Sequence, residues 1–532
     1  MQQTRALPAL LLACLLTTAL AAGLSTGPLL GAASAAGPAQ DPGPRTATPL
    51  PELLEGLTAI ADADGDDVLR RARTAVEGAP RERVDAPTLT LAELFTAYPR
   101  LDAEQREIAD SLLARPTDRA RDTYGDGYDR PEAEPLCGAR ICVHHVTDGP
   151  DAPPDLAWVR RVRTVMARVW AHHVDELGYR PPAPDGDRGG SPGGRSRFDV
   201  YLADIGAQGY YGYCSPEKGR PGQERRASGY CVLDNDFAEF DGPPGRNLAV
   251  TAAHEFFHAV QFDYDVGEDR WFMEATAVWM EEQFAPGADD NRQYLPQGQL
   301  GRPGTALDAF DTEGLAHYGN WLFFERLADT YGVDAVRRLW EWVAAGRGEP
   351  DEYSVQALSR FLSEQGSSLR SFLAVYSAGN LTPGRAYREG AAYTPAPVAS
   401  TRRLRAGGTT SFTATLPHLS SRSIAIIPKA APRKRPRVLR VKVRTPGSPV
   451  RTAARVIIHL ADGRVQARPV KIGGNRSGKV QVPFGPARVE KVTVTLVNAS
   501  ARYDCWKGQP YACAGRPRYD GQELSATVRA VR

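Results

Sequence analysis

Apolar and polar positions change rhythm several times along this chain, and each rhythm predicts different local structure. The apolar run ALPALLLACLLTTALAAGL follows a basic start at Arg5 and leads to the small residues GAASAA. That order predicts a cleavable export signal over residues 1–36. Reading Leu11, Leu12, Ala13 and Cys14 as a lipid-attachment box fits less well, because the apolar run continues past Cys14. Residues 37 to about 60 are rich in Pro, Gly, Ala and Thr and predict a linker. From Leu89 to Arg115 the apolar residues take helical spacing, so residues 37–134 read as a small helical N-terminal region, with a removable propeptide as one reading of it.

Beyond Cys137 strand and helix patterns alternate. ICVHHV (141–146) and RFDVYLADI (197–205) predict strands on either side of an amphipathic helix over 156–179. GYYGYCSPE and ASGYCVLDND predict a hairpin-like pair, and the turn DGPPGRN predicts a helix capped by Asn247. Helical patterns then run to about residue 380. After residue 400, seven short β-type runs separated by Gly, Pro and Asn turns predict an all-β sandwich. The fold class expected is α+β over residues 135–396, followed by a β-sandwich over 397–532.

The cysteines and charges refine this picture. The six cysteines after the signal are near neighbours in sequence, and export puts them in an oxidising compartment. They predict the disulfides Cys137–Cys142, Cys214–Cys231 and Cys505–Cys513; without a CxxC pair, a cysteine zinc site is the weaker reading. No later stretch approaches the ~20 apolar residues needed to cross a bilayer. A net charge of +2 hides an asymmetry: residues 401–532 carry +22 and the rest −20. The basic part is expected to dock on the acidic part or to seek an anionic cell-surface or cell-wall polymer, and no nucleic-acid partner is expected.

One motif carries chemistry. HEFFH at 254–258 sets two histidines four apart, one turn of a helix, so both imidazoles can meet one metal ion; Glu255 lies beside that face. Such a string arises by accident in roughly one chain of this kind in a hundred, so its neighbourhood decides its meaning. Gln261 and Tyr264 exclude the compact HExxHxxGxxH pattern, and WFMEATAVWMEE offers Glu274 as third ligand at the start of a second helix. Glu281, seven residues on, lies on the same face but further along.

HEFFH followed by WFMEATA resembles the gluzincin metallopeptidases, whose third zinc ligand sits in a W-x-x-E-x-x-A context. VYLADIGAQGYYGYC, CVLDNDF and FMEATAVWMEE are similar to a group of secreted bacterial metalloproteases, over roughly residues 135–345. The resemblance implies a zincin-like domain with one Zn2+ on His254, His258 and Glu274, and Glu255 as catalytic base. Two departures stand out: Val278 replaces the family's second aspartate, and the 15-residue gap from His258 to Glu274 is short. Absence of a GxMEN signature favours an endopeptidase acting on protein or peptide substrates.

His317 and Tyr318 are candidate donors to the oxyanion of such a reaction, with Tyr318 the stronger. The other histidines read as structural, and Asp234 and Asp236 as a turn or a calcium brace. ADADGDD at 61–67 lacks the order of an EF-hand loop, so calcium has no support. RKRPR at 433–437 reads as an exposed basic loop. The competing function is a secreted binding or adhesion protein with an inactive zincin-like part; retention of Glu255 counts against it.

Overall fold

The computed structural model describes residues 65–77, 87–118, 127–186, 188–190, 196–217, 225–310, 314–430, 437–447 and 451–531. The expected signal, the linker and most of RKRPR lie outside the described residues. What is described is a mixed α and β chain.

Among the described residues, three helices come first: α1 (Gly65–Glu77), α2 (Pro87–Ala97) and α3 (Ala103–Leu112). The apolar stretch from Leu89 to Arg115 is therefore two helices. Pro99 lies in the tight turn between them, and Asp102 restarts the chain with a capping box to Gln105.

A five-stranded sheet follows, built from β1 (Leu136–Cys137), β2 (Ile141–His144), β3 (Phe198–Ala203), β4 (Gly212–Pro216) and β5 (Gly229–Asp234) in the order β1-β2-β3-β5-β4. β2, β3 and β5 run parallel; β4 is an antiparallel edge strand on β5. Every residue of β2, β3 and β5 is buried, as expected of strands covered on both faces. Alternate residues serve the two covers. Tyr201, Tyr213, Tyr230 and Val232 face α1–α3, while Val200, Leu202, Cys231 and Leu233 face helices from later in the chain.

That second cover contains α4 (Leu156–Trp170), α5 (Pro244–Asp265) and α6 (Arg270–Phe284). The α-helical part of the predicted 156–179 segment stops at Trp170, and a π-helical turn carries the chain through Glu176. α5 is buried from Val250 to Asp265 without a polar face, so it can only be an internal helix. Asn247 is not its N-cap: α5 starts three residues earlier at Pro244, whose ring presets the first helical φ. Inside the first turn, the Asn247 side chain instead donates to the Asp241 carbonyl. Helices α7 (Trp321–Tyr331), α8 (Asp334–Val343), α9 (Ser354–Glu364) and α10 (Leu369–Gly379) extend this layer.

Among the described residues, the C-terminal part has eleven strands in order along the chain. These are β6 (Ser400–Leu404), β7 (Thr409–Leu416), β8 (Ser420–Pro428), β9 (Val438–Arg444), β10 (Thr452–Leu460), β11 (Val465–Pro469), β12 (Ser477–Pro483), β13 (Val489–Asn498), β14 (Tyr503–Asp504), β15 (Arg516–Pro517) and β16 (Gln522–Val531). One sheet is ordered β11-β10-β13-β8-β6, the other β12-β9-β16-β7, with β14 and β15 forming a small ribbon. Inward residues such as Val456, Val494, Val441 and Val528 fill the space between the sheets. The outer face of the five-stranded sheet is covered by α10. On the other sheet, Arg440, Lys442 and Arg444 of β9 share the outward face with Lys479 and Arg529, register partners or neighbours on β12 and β16. None of these five has an ion-pair partner among the described residues.

All three expected cysteine pairs are joined, the first two directly across paired strands. Among the described residues, no helix is long and apolar enough to cross a membrane.

Candidate metal centre

α5 carries His254 and His258 on one face, and α6 packs against α5 with Glu274 directed at the same point. The His254 and His258 Nε2 atoms are 3.0 Å apart, and Glu274 Oε2 lies 3.2 Å from the first and 3.7 Å from the second. All three side chains are buried.

The far side of each imidazole explains why these nitrogens converge. His254 Nδ1 lies 2.6 Å from Glu281 Oε1, and His258 Nδ1 lies 2.7 Å from Gln261 Oε1. Gln261 is fixed as an acceptor there, because its Nε2 donates to the Met273 carbonyl at 2.9 Å. A carboxylate and an amide oxygen at the two Nδ1 positions assign the protons to Nδ1. Both Nε2 lone pairs then point at each other and at Glu274, whose two buried oxygens have no hydrogen-bond partner in the protein. Three such atoms at this range repel unless a shared proton or a metal cation sits among them.

Burial pushes the Glu274 carboxyl up, but the His258 and His254 imidazoles outweigh it and hold it well below the usual carboxylate range. Burial opposes charge on His254, yet Glu274 and Glu281 raise its basicity overall. Burial dominates at Glu281, which it pushes up to about 7. The cluster is thus an acceptor-rich pocket suited to positive charge.

Glu255 lines the same cavity, of about 240 Å³, but is not one of the three convergent groups. Burial raises its pKa. Its Oε2 accepts a hydrogen bond of 3.0 Å from Thr88 Oγ1, at the start of α2. Tyr318 sits on the helical turn Ala316–Gly319, its ring stacked on that of His254 with centroids 6.0 Å apart. Burial, with the nearby Glu274 carboxylate, holds its phenol protonated far above the ordinary range. Tyr294 packs against Tyr318, and its phenol is likewise raised by burial and by Glu281. His317 lines the cavity too and stacks on Phe310.

The residues picked out from sequence, His254, Glu255, His258, Glu274 and Tyr318, are thus brought to one cavity. Glu281 turns out to hold His254. Gln261, Thr88 and Tyr294 were missed. Gln261 had a local signal, three residues after His258 on a helix; Thr88 had none, being 167 residues from Glu255. Asp234 braces a strand-end turn, accepting from the Gly206, Asp236 and Phe237 amides, although it also lies near Asp236 and Glu239. His144 bridges Glu132 and Asp199, and His173 meets the Ala253 carbonyl.

No family model matches the chain, and no curated protein does. Among solved structures, the pre-peptidase C-terminal domain of a collagenase from Bacillus anthracis is similar over 25% of this chain and 96% of that one. Identity is 7% and the TM-score 0.16, too slight a likeness to bear on fold or function.

Proposed function

We propose that this protein is a secreted, zinc-dependent endopeptidase, with His254, His258 and Glu274 as the metal ligands. The observation that carries the reading is the convergence of two imidazole Nε2 atoms and a buried carboxylate oxygen within 3.7 Å of one another, with a further carboxylate, Glu255, in the same cavity. The donor set fits zinc. Ligand atoms about 2.0–2.1 Å from one zinc ion at tetrahedral angles are roughly 3.3 Å apart. The three edges here are 3.0, 3.2 and 3.7 Å. Three protein ligands and a cavity beside them are the make-up of a catalytic site, since structural zinc sites are closed by four.

When bound, zinc supplies Lewis acidity and lowers the pKa of water towards about 7. Glu255 then has a defined part. Thr88 occupies its Oε2, so Oε1 is the atom left to accept a proton from the attacking water and hand it to the departing amine. Tyr318, its phenol held protonated, can donate to the oxygen on which charge develops. No GxMEN signature is present, which favours internal peptide bonds over a free terminus.

The sandwich is proposed to hold the enzyme to an anionic cell-surface or cell-wall polymer through the five unpaired cations of its outward sheet. Metal analysis and casein cleavage test the whole. The purified protein should contain one zinc per chain and cleave casein, while chelation and Glu255→Gln should each abolish cleavage. Cleavage surviving both would overturn the reading and leave a binding protein.

A further inference from the structure

The helical N-terminal region reads from sequence as a segment that export or activation could remove. Its packing points the other way. Leu91, Leu94 and Leu112 close one face of the five-stranded sheet against Tyr201, Tyr213 and Tyr230. Taking α1–α3 away would strip the cover from strands whose residues are buried on both faces. Arg115, just past α3, is a second anchor. It is itself buried, and its guanidinium bonds Glu217 at 2.7 Å and Asp185 at 2.7 Å and also meets Asp199. Without it, three carboxylates would lose their shared guanidinium and, among the described residues, keep only His144 on Asp199, Arg188 on Glu217 and Ser196 on Asp185. Removing one partner of a buried ion cluster costs more than the pairing contributes.

The same region reaches the reaction centre. Thr88, buried at the first turn of α2, accepts from the Cys214 amide at 3.0 Å. That amide points from the side of β4 that has no strand neighbour. With its lone pair so engaged, the Thr88 hydroxyl proton is aimed at Glu255 Oε2, 3.0 Å away. The chain from edge strand to hydroxyl to carboxylate thus fixes which way the Glu255 carboxylate faces.

We propose that residues 65–118 remain part of the active enzyme, and that Thr88 is a positioning residue for the base Glu255. This rests on the peptidase reading above. The mature protein recovered from culture medium, purified by gel filtration, should carry residues 65–118 by mass spectrometry, whether in one chain or as a tightly held fragment. An active form without them would overturn the proposal. Thr88→Val keeps the side-chain shape and removes the hydroxyl. It should lower kcat roughly 10- to 100-fold, the worth of a hydrogen bond to a charged group. KM and zinc content should stay near those of the unaltered protein, Tm should fall by a few degrees because the buried Cys214 amide loses its acceptor, and Thr88→Ser should restore both Tm and kcat. An unchanged kcat in Thr88→Val, with Glu255→Gln inactive, would sink the role of Thr88 alone; an active Glu255→Gln would instead sink the peptidase reading.

Discussion

His418 Nε2 lies 2.8 Å from Asp308 Oδ1, joining the sandwich to the helical layer through a pair that is buried on both sides. Asp308 also accepts from the Tyr503 hydroxyl at 2.7 Å and the Ala512 amide at 3.1 Å, so the sandwich grips one carboxylate with three donors. Asp520 faces the other imidazole nitrogen at 3.0 Å. The basic C-terminal part therefore does dock on the acidic remainder through buried groups, and among the described residues no exposed Lys or Arg of 401–532 pairs with a carboxylate outside it.

This pair predicts a stability that depends on pH. Burial opposes charge on His418, but Asp308 and Asp520 outweigh it and push its pKa up to about 9. A histidine raised above its unfolded value contributes fully below about pH 6.5 and loses the contribution as pH climbs through about 9. At most roughly 3 kcal/mol is involved. Tyr503 and Tyr511, which also face His418, are both raised by burial and stay neutral in that window. Thermal unfolding should show Tm falling between pH 7 and pH 9, and His418→Gln should flatten that slope.

The acceptors behind the two imidazoles should matter to metal affinity. Glu281→Ala and Gln261→Ala each free an Nδ1 and with it the ring orientation, and each should weaken zinc binding about 10- to 100-fold. Competition with a chromophoric chelator measures this, and equal affinity in all three proteins would contradict the tautomer assignment.

Gly212 sits where β4 passes α5. A Cβ there would meet Thr251 Cγ2 at 2.8 Å, Leu233 Cδ2 at 3.0 Å and Glu255 Cγ at 3.1 Å. Gly212→Ala should therefore cost about 1–3 kcal/mol of stability by overpacking and reduce hydrolysis through displacement of Glu255. Zinc content should be retained, because none of the three ligands is touched.

Arg115→Met removes one charge from a buried cluster of carboxylates. Urea unfolding at pH 7 should show a loss of about 3–5 kcal/mol, smaller at pH 5 where Asp and Glu left unpaired take up protons. An equal deficit at both values would argue against uncompensated charge as the cause.

Replacing Arg440, Lys442 and Lys479 together by Gln should leave casein cleavage intact while weakening retention on an anionic wall polymer. Retention by the unaltered protein should itself fall as salt rises. The local +22 of residues 401–532 foretold a basic surface, but sheet register decided which cations stand side by side.

What the sequence determined by itself is local. Helical spacing put His254 and His258 on one face, the adjacent helix offered Glu274, neighbouring cysteines paired, and alternation marked the sandwich strands, since each depends on residues close along the chain. Even Asn247 erred by only one turn, where proline geometry displaced a side-chain cap. Tertiary structure alone decided the rest. No periodicity connects Thr88 to Glu255, Arg115 to Asp199, or Asp308 to His418; these pairs exist because a sheet covered on both faces draws distant segments onto the same buried polar groups, which must find partners when water is excluded.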